Sequence, residues 1–212
     1  MSATPVVVSD VDAVGPLTGV LALQGDFAEH EAALQRAQLP TRQIRSPLDL
    51  AGIKALVLPG GESTTMLRLL DIEGLWEPMS HAVHSGMPVF ATCAGMILLA
   101  ERVENPVQRS FGVLPITVVR NGYGRQLHSG TFLLRSEILP TGTTGTFIRA
   151  PRITHTGPEC EVLAFRGDDP VLVQKGNVLA ACFHPELVFS HVVIARFAAM
   201  VREQADCFTA AG

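Results

Sequence analysis

Over the first half of the chain, short runs of consecutive apolar residues alternate with stretches whose apolar positions recur every three or four residues. Val20-Leu21-Ala22-Leu23 is a solid apolar run ending at Gln24-Gly25, the pattern of a strand buried on both faces that leaves a sheet at a turn. From Phe27 to Ala37, apolar Phe27, Ala33, Leu34 and Ala37 stand among charged residues, which predicts an amphipathic helix closed near Pro40. Arg42 to Arg45 reads as the next strand. Ala55-Leu56-Val57-Leu58 reads as another, stopped by Pro59-Gly60-Gly61. Thr64 to Leu70 and Leu75 to Ser85 read as helices, Pro88 to Thr92 as a strand and Ala94 to Arg102 as a helix. Strands alternating with helices imply crossover connections and a mostly parallel sheet.

The second half changes character. Ile116 to Arg120, Thr131 to Leu134, Thr146 to Ile148 and Glu161 to Phe165 are short strand-like runs between Gly-rich turns. No long helix separates them, so they are expected as antiparallel additions to the sheet. Val171 to Gln174 and Val178 to Phe183, split by Lys175-Gly176-Asn177, predict a hairpin. His191 to Glu203 predicts a closing amphipathic helix. Residues 1–17 have no helical period and read as a loose tail, residues 18–205 as one domain and residues 206–212 as a second tail.

Composition narrows the class. The chain has 212 residues, 47% hydrophobic and 17% charged. That supplies a full core and too little charge for a disordered chain. The formal net charge is −4, and the basic residues are scattered, which argues against nucleic-acid binding. The four cysteines, Cys93, Cys160, Cys182 and Cys207, form no CxxC pair. No basic start followed by a long apolar stretch opens the chain, so free thiols in a reducing cytoplasm are expected. Residues 78–100 carry no Asp, Glu, Lys or Arg, but His81, His84, Ser85, Gly86, Pro88 and Thr92 interrupt the stretch. Gly86-Met87-Pro88 reads as a helix-to-strand turn rather than the middle of a membrane span.

Candidate chemistry sits where strands end. Cys93 follows an apolar strand and precedes Ala94-Gly95 and a helix. A residue at such a junction stands on a sharp turn between small neighbours, near unpaired amides and the positive end of a helix. Both features favour thiolate in a group whose ordinary pKa is about 8.5; a buried core cysteine is the bland alternative. Cys182-Phe183-His184-Pro185-Glu186 closes another apolar strand. Period-two alternation would place His184 and Glu186 side by side, the carboxylate fixing the ring tautomer. Cys182 shares that spacing, so a metal site is a competing reading, though three ligands on one strand close a tetrahedral site poorly. Pro59-Gly60-Gly61-Glu62-Ser63-Thr64 is a second strand-to-helix loop. Gly60 and Gly61 could turn an N–H toward a developing oxyanion, while Ser63 or Thr64 could simply cap the helix. No GxxxxGK[ST] is present.

PGGES, TCAG and FHPE, in that order, resemble the motifs of the class I glutamine amidotransferases. With ALQGDFAEH, LPGGESTTM, FATCAGMILLA, RNGYGRQ, FIRAP and CFHPEL, the chain is similar to one branch, the glutaminase subunits of pyridoxal 5′-phosphate synthase, over residues 18–205. The resemblance implies an α/β three-layer sandwich with a mostly parallel, flavodoxin-like central sheet plus antiparallel additions. It implies Cys93 as nucleophile, His184 as general base and Glu186 as its orienter. Backbone amides of Gly61 and Ala94 would hold the oxyanion, and Gly61, Glu62, Ser63, Arg120, Ile148 and Arg149 would bind glutamine. An arginine suits an α-carboxylate. It also implies a (β/α)8-barrel synthase partner in a hetero-oligomer, with no metal or organic cofactor. The N-terminal tail, His128 after GRQL and the apolar segment 187–193 depart from the pattern and bear on partner contacts. Two rivals share these residues: a stand-alone γ-glutamyl cysteine hydrolase on the same scaffold, and a non-catalytic thiol sensor built on Cys93.

Overall fold

The computed structural model describes residues 15–123 and 129–210. In the first half, β1 (Thr18–Leu21), α1 (Phe27–Arg36), β2 (Thr41–Ile44), β3 (Ala55–Leu58), α2 (Ser63–Ile72), α3 (Trp76–His84), β4 (Val89–Thr92) and α4 (Ala94–Leu99) follow one another. Every residue of β1, β3 and β4 is buried, which is why these strands are mostly apolar, Thr18 and Thr92 apart, rather than alternating; β1 ends at Leu21, two residues short of the end of the run Val20–Leu23 predicted from the sequence. The second half holds β5 (Ala100–Glu104), β6 (Leu114–Val119), β7 (Gly130–Leu133), β8 (Thr144–Phe147), β9 (Arg152–Thr156), β10 (Glu161–Arg166), β11 (Asp169–Lys175), β12 (Val178–Ala181) and α5 (Val192–Ala210).

Seven strands form the central sheet in the order β10-β11-β12-β4-β3-β1-β2. The stretch from β2 to β12 is parallel throughout, and β11 and β10 join antiparallel. Read from its parallel edge the order is 2-1-3-4-12, so β12 takes the fifth place of the flavodoxin-like sheet. Helix α1 packs with α5, and α2 packs with α3 and α4. The core lies between these layers. Fully buried Phe90 on β4 meets Phe197 of α5 with ring centroids 5.4 Å apart; burying each such ring stabilises by about 1.5–3 kcal/mol.

Several expectations need correction. The helix predicted over 94–102 stops at Leu99. All six residues of α4 are buried, and Ala100 turns to an extended backbone, φ −61° and ψ 145°. Residues 100–104 then pair with β6, leaving Glu101 and Arg102 exposed. The runs around 116, 131 and 146 do not join the central sheet. They build a three-stranded sheet β5-β6-β9 and a two-stranded β7-β8 ribbon; among the described residues only β10 and β11 are antiparallel additions to the main sheet. Strand β9 has no counterpart among the strands predicted from the sequence. The closing helix begins one residue later than predicted and continues to Ala210. Residues 1–14, 124–128 and 211–212 lie outside the described residues, and with them most of the expected N-terminal tail, His128 and the second half of RNGYGRQ. The uncharged stretch 78–100 divides among α3, β4 and α4, and among the described residues no helix is long and apolar enough to cross a membrane.

Candidate active site

The loops after β1, β3, β4 and β12 all leave the carboxyl ends of parallel strands, where open α/β sheets gather their ligands. Cys93 is the residue between β4 and α4, with φ 47° and ψ −107°. This is a left-handed backbone that a side-chain-bearing residue adopts only when its surroundings enforce it. Its amide donates to the Ala181 carbonyl at 2.9 Å, tying the turn to β12. Gly95 lets α4 sit against β3, since a Cβ there would overlap the Leu58 carbonyl.

His184 and Glu186 are brought together differently from the strand-face expectation. Strand β12 ends at Ala181, and Pro185–Leu187 form a single 3₁₀ turn. That turn swings the Glu186 carboxylate back onto the ring, His184 Nδ1 to Glu186 Oε1 at 2.7 Å. The His184 amide donates to Thr146 O at 2.8 Å, which seats the turn against β8. Both residues are 3% exposed. Burial lowers the His184 pKa, but the Cys93 thiol and then Glu186 outweigh it and raise the ring to about 10. Burial likewise pushes Glu186 up, and the charge and N–H groups of His30 and His184 override it, holding the carboxyl down to about 2. Among the described residues the imidazole Nε2 makes no hydrogen bond, and His184 and Cys93 line the same cleft. Cys182 takes no part: its sulfur lies 3.9 Å from Met96 Sδ and 3.8 Å from Pro170 O, and burial pushes its thiol far up. This separates it from His184 and Glu186 and removes the metal set that period two suggested. Asp26 stands near them instead, its Oδ2 3.4 Å from His184 Nδ1. Ligand atoms of Asp26, His184 and Glu186 lie within 4.8 Å of one another, but a cation there would compete with the His184–Glu186 hydrogen bond.

A cleft of about 40 Å³ opens beside the sulfur. It is lined by Gly61, Glu62, Ser63, Cys93, Ala94, Arg120, Ile148 and Arg149, all candidates from the sequence, and by Ile97 and Asn121. A contiguous cleft of about 240 Å³ reaches Gln24, Asp26 and His184. Glu62, rather than Ser63 or Thr64, caps α2: its side chain accepts from the Thr64 hydroxyl at 2.8 Å and the Thr64 amide at 3.4 Å. Burial raises the Glu62 pKa, but Thr64, Arg120 and Arg149 together hold it below its ordinary value. Arg120 donates to Glu62 at 2.7 Å, Gln108 Oε1 at 3.0 Å and Thr64 Oγ1 at 3.1 Å. The cleft therefore presents a cation and an anion side by side, fixed by neutral neighbours. Ile148 closes the other wall, its carbonyl 3.9 Å from Cys93 Sγ, and Arg149 follows in a left-handed turn, φ 44°. Gln24 holds the Gly-Gly loop by accepting from the Glu62 amide at 2.8 Å.

Gln24, Asp26, Gln108 and His30 join the site without having been candidates in the sequence. His30 carried a signal: it lies three residues after Phe27 and four before Leu34, on the apolar face of α1, and is fully buried.

Residues 20–203 match the SNO glutamine amidotransferase family. The chain is 49% identical over 170 residues to the pyridoxal 5′-phosphate synthase subunit PdxT of Thermotoga maritima, covering 80% of this chain and 90% of that one. It is 45% identical over 192 residues to the protein of that name from Streptomyces avermitilis, covering 88% and 94%. Among solved structures, one described as a glutamine amidotransferase superposes with a TM-score of 0.81 at 44% identity, covering 87% of this chain and 98% of that one. A putative GMP synthase component from Thermoplasma acidophilum, at 16% identity and a TM-score of 0.67 over 92% and 98% of the two chains, shares the fold.

Proposed function

Because the chain belongs to the SNO glutamine amidotransferase family, we propose that residues 18–205 form one glutaminase domain that feeds ammonia to a pyridoxal 5′-phosphate synthase. The observation that supports this most is the pairing of His184 Nδ1 with Glu186 at 2.7 Å beside Cys93 on its strained turn. Glutamine's α-carboxylate would lie on Arg120, with Arg149 near it, and its α-ammonium on Glu62, matching the ion pair that spans the cleft.

In this mechanism His184 takes the Cys93 proton and the thiolate attacks the side-chain amide carbon. Amides of Gly61 and Ala94 hold the oxyanion. The imidazolium protonates the leaving nitrogen, the C–N bond breaks and ammonia departs. His184 then activates water, which hydrolyses the glutamyl thioester to glutamate and returns the proton to sulfur. Glu186 keeps Nδ1 protonated so that Nε2 faces the chemistry. These steps ask for no metal or organic cofactor.

Ammonia released into neutral water is protonated and loses its nucleophilicity, so the reading includes a docked acceptor: a (β/α)8-barrel synthase, in a cytoplasmic hetero-oligomer. The test mixes the chain with a matched synthase, glutamine and the synthase's sugar-phosphate substrates. Glutamate and pyridoxal 5′-phosphate should form together, and both should vanish with Cys93→Ala. Rapid cleavage of γ-glutamyl peptides by the chain alone, with glutamine ignored whether or not synthase is present, would replace this reading with that of a stand-alone hydrolase. Full activity of a His184→Asn variant in a thiol-oxidation assay, without glutaminase activity in the wild type, would favour a sensor.

A further inference from the structure

We infer that His30 is a positioning residue for the catalytic base, acting through Glu186; the inference rests on the glutaminase reading above. His30 lies on α1, the helix that follows β1, and is fully buried. Its Nε2 is 2.9 Å from Thr92 Oγ1 and 3.3 Å from Glu186 Oε1. A carboxylate only accepts hydrogen bonds. Nε2 therefore carries a proton, shared between the carboxylate and the Thr92 hydroxyl. Phe90 packs against the ring edge-on, centroids 5.9 Å apart, and limits its rotation.

Glu186 Oε1 thus faces two N–H groups, His184 at 2.7 Å and His30 at 3.3 Å, while Oε2 has no hydrogen-bond partner among the described residues. With His184 alone, either oxygen could accept and the carboxylate could turn. A second donor on the same oxygen selects one orientation, and with it the plane of the His184 ring. The contact also joins the two halves of the site. Thr92 immediately precedes Cys93, Glu186 lies on the turn after β12, and α1 packs against that turn. His30 never reaches the cleft, so it touches neither substrate nor sulfur.

The charged and titratable groups around this contact are few. Glu186 is faced by His30, His184 and, more weakly, His191. His184 is faced by Cys93, Glu186 and Asp26. Removing the His30 donor leaves a buried carboxylate with one N–H, and its proton affinity rises.

The test compares His30→Leu, which removes the donor, with His30→Gln, whose amide N–H reaches the Nε2 position. Glutamate release is followed from pH 5 to 11 in complex with the synthase. For His30→Leu, kcat should fall about 10- to 100-fold, the loss of one hydrogen bond to a charged group. KM for glutamine should stay within about two-fold, and the basic limb of kcat/KM, which reports loss of the His184 imidazolium, should move by about one pH unit. His30→Gln should recover most of the rate and return the limb. A limb that does not move in His30→Leu, or a His30→Gln variant as slow as His30→Leu, overturns the inference. Should His30→Leu fail to fold, Thr92→Val carries the test, because it frees the His30 ring; it must move the limb in the same direction. The rate of Cys93 alkylation by iodoacetamide, followed by peptide mass across the same pH range, answers the same question without synthase. An inactive wild-type complex would therefore sink the glutaminase reading while the alkylation profile still decides on His30.

Discussion

Glu186→Gln isolates the electrostatic part of the dyad. The two side chains have nearly the same shape, so the buried pocket is kept and only the charge is lost. Two unit charges 2.7 Å apart attract by roughly 6 kcal/mol at an effective dielectric of about 20. Withdrawing both groups from water cancels much of that, leaving about 2–4 kcal/mol of imidazolium stabilisation. In the proposed mechanism the proton transfers through His184 pass through that imidazolium, so kcat should fall roughly 30- to 1000-fold. Glu186 does not line the cleft, so KM for glutamine should hardly change. Steady-state glutamate release with the synthase present measures both constants, and a thermal melt confirms that the variant is folded. A folded variant with kcat lowered less than three-fold would show that the carboxylate charge does nothing for the base, and the mechanism would have to be rebuilt without Glu186.

Two further outcomes follow from burial and close packing. The His184 pKa is raised in the folded chain to about 10, so this group stabilises fully below its ordinary value near 6.5 and the contribution is lost as pH rises toward 10. Tm should therefore decline between pH 7 and 10 more steeply in wild type than in His184→Asn, and parallel curves from scanning calorimetry would contradict it. Gly95→Ala should cost about 2 kcal/mol or more, because the added Cβ meets the Leu58 carbonyl on β3; a Tm within about 2 °C of wild type would show that β3 yields to it.

What could be read from the chain and what could not divide along physical lines. Strands buried on both faces are mostly apolar, so β3 and β4 are legible, β1 is legible with an offset of two residues, and so are the turns where Cys93 and the Gly60-Gly61 loop lie. Strand β5 was hidden because no Gly or Pro marks the passage from α4; Leu99 and Ala100 simply change backbone conformation inside one apolar stretch. The middle strands were recognisable as strands, but alternation says nothing about which sheet a strand joins. His184 and Glu186 were paired correctly for the wrong local reason, since a 3₁₀ turn rather than a strand face unites them. That error also put Cys182 beside them. Asp26 and His30 lie more than 150 residues before His184 in the chain, and only the parallel sheet order brings the β1–α1 junction to the end of β12.

Helix α4 has no face in water, and its first turn is wedged against β3. The sulfur is consequently mounted at the head of a fully buried helix, whereas residues 60–62 and 148–149, the walls proposed to receive the substrate, are carried by connecting loops. On the proposed mechanism, turnover is then tuned from outside inward, by reshaping those walls around the sulfur. The same division would let those loops change sequence without displacing the Cys93 sulfur.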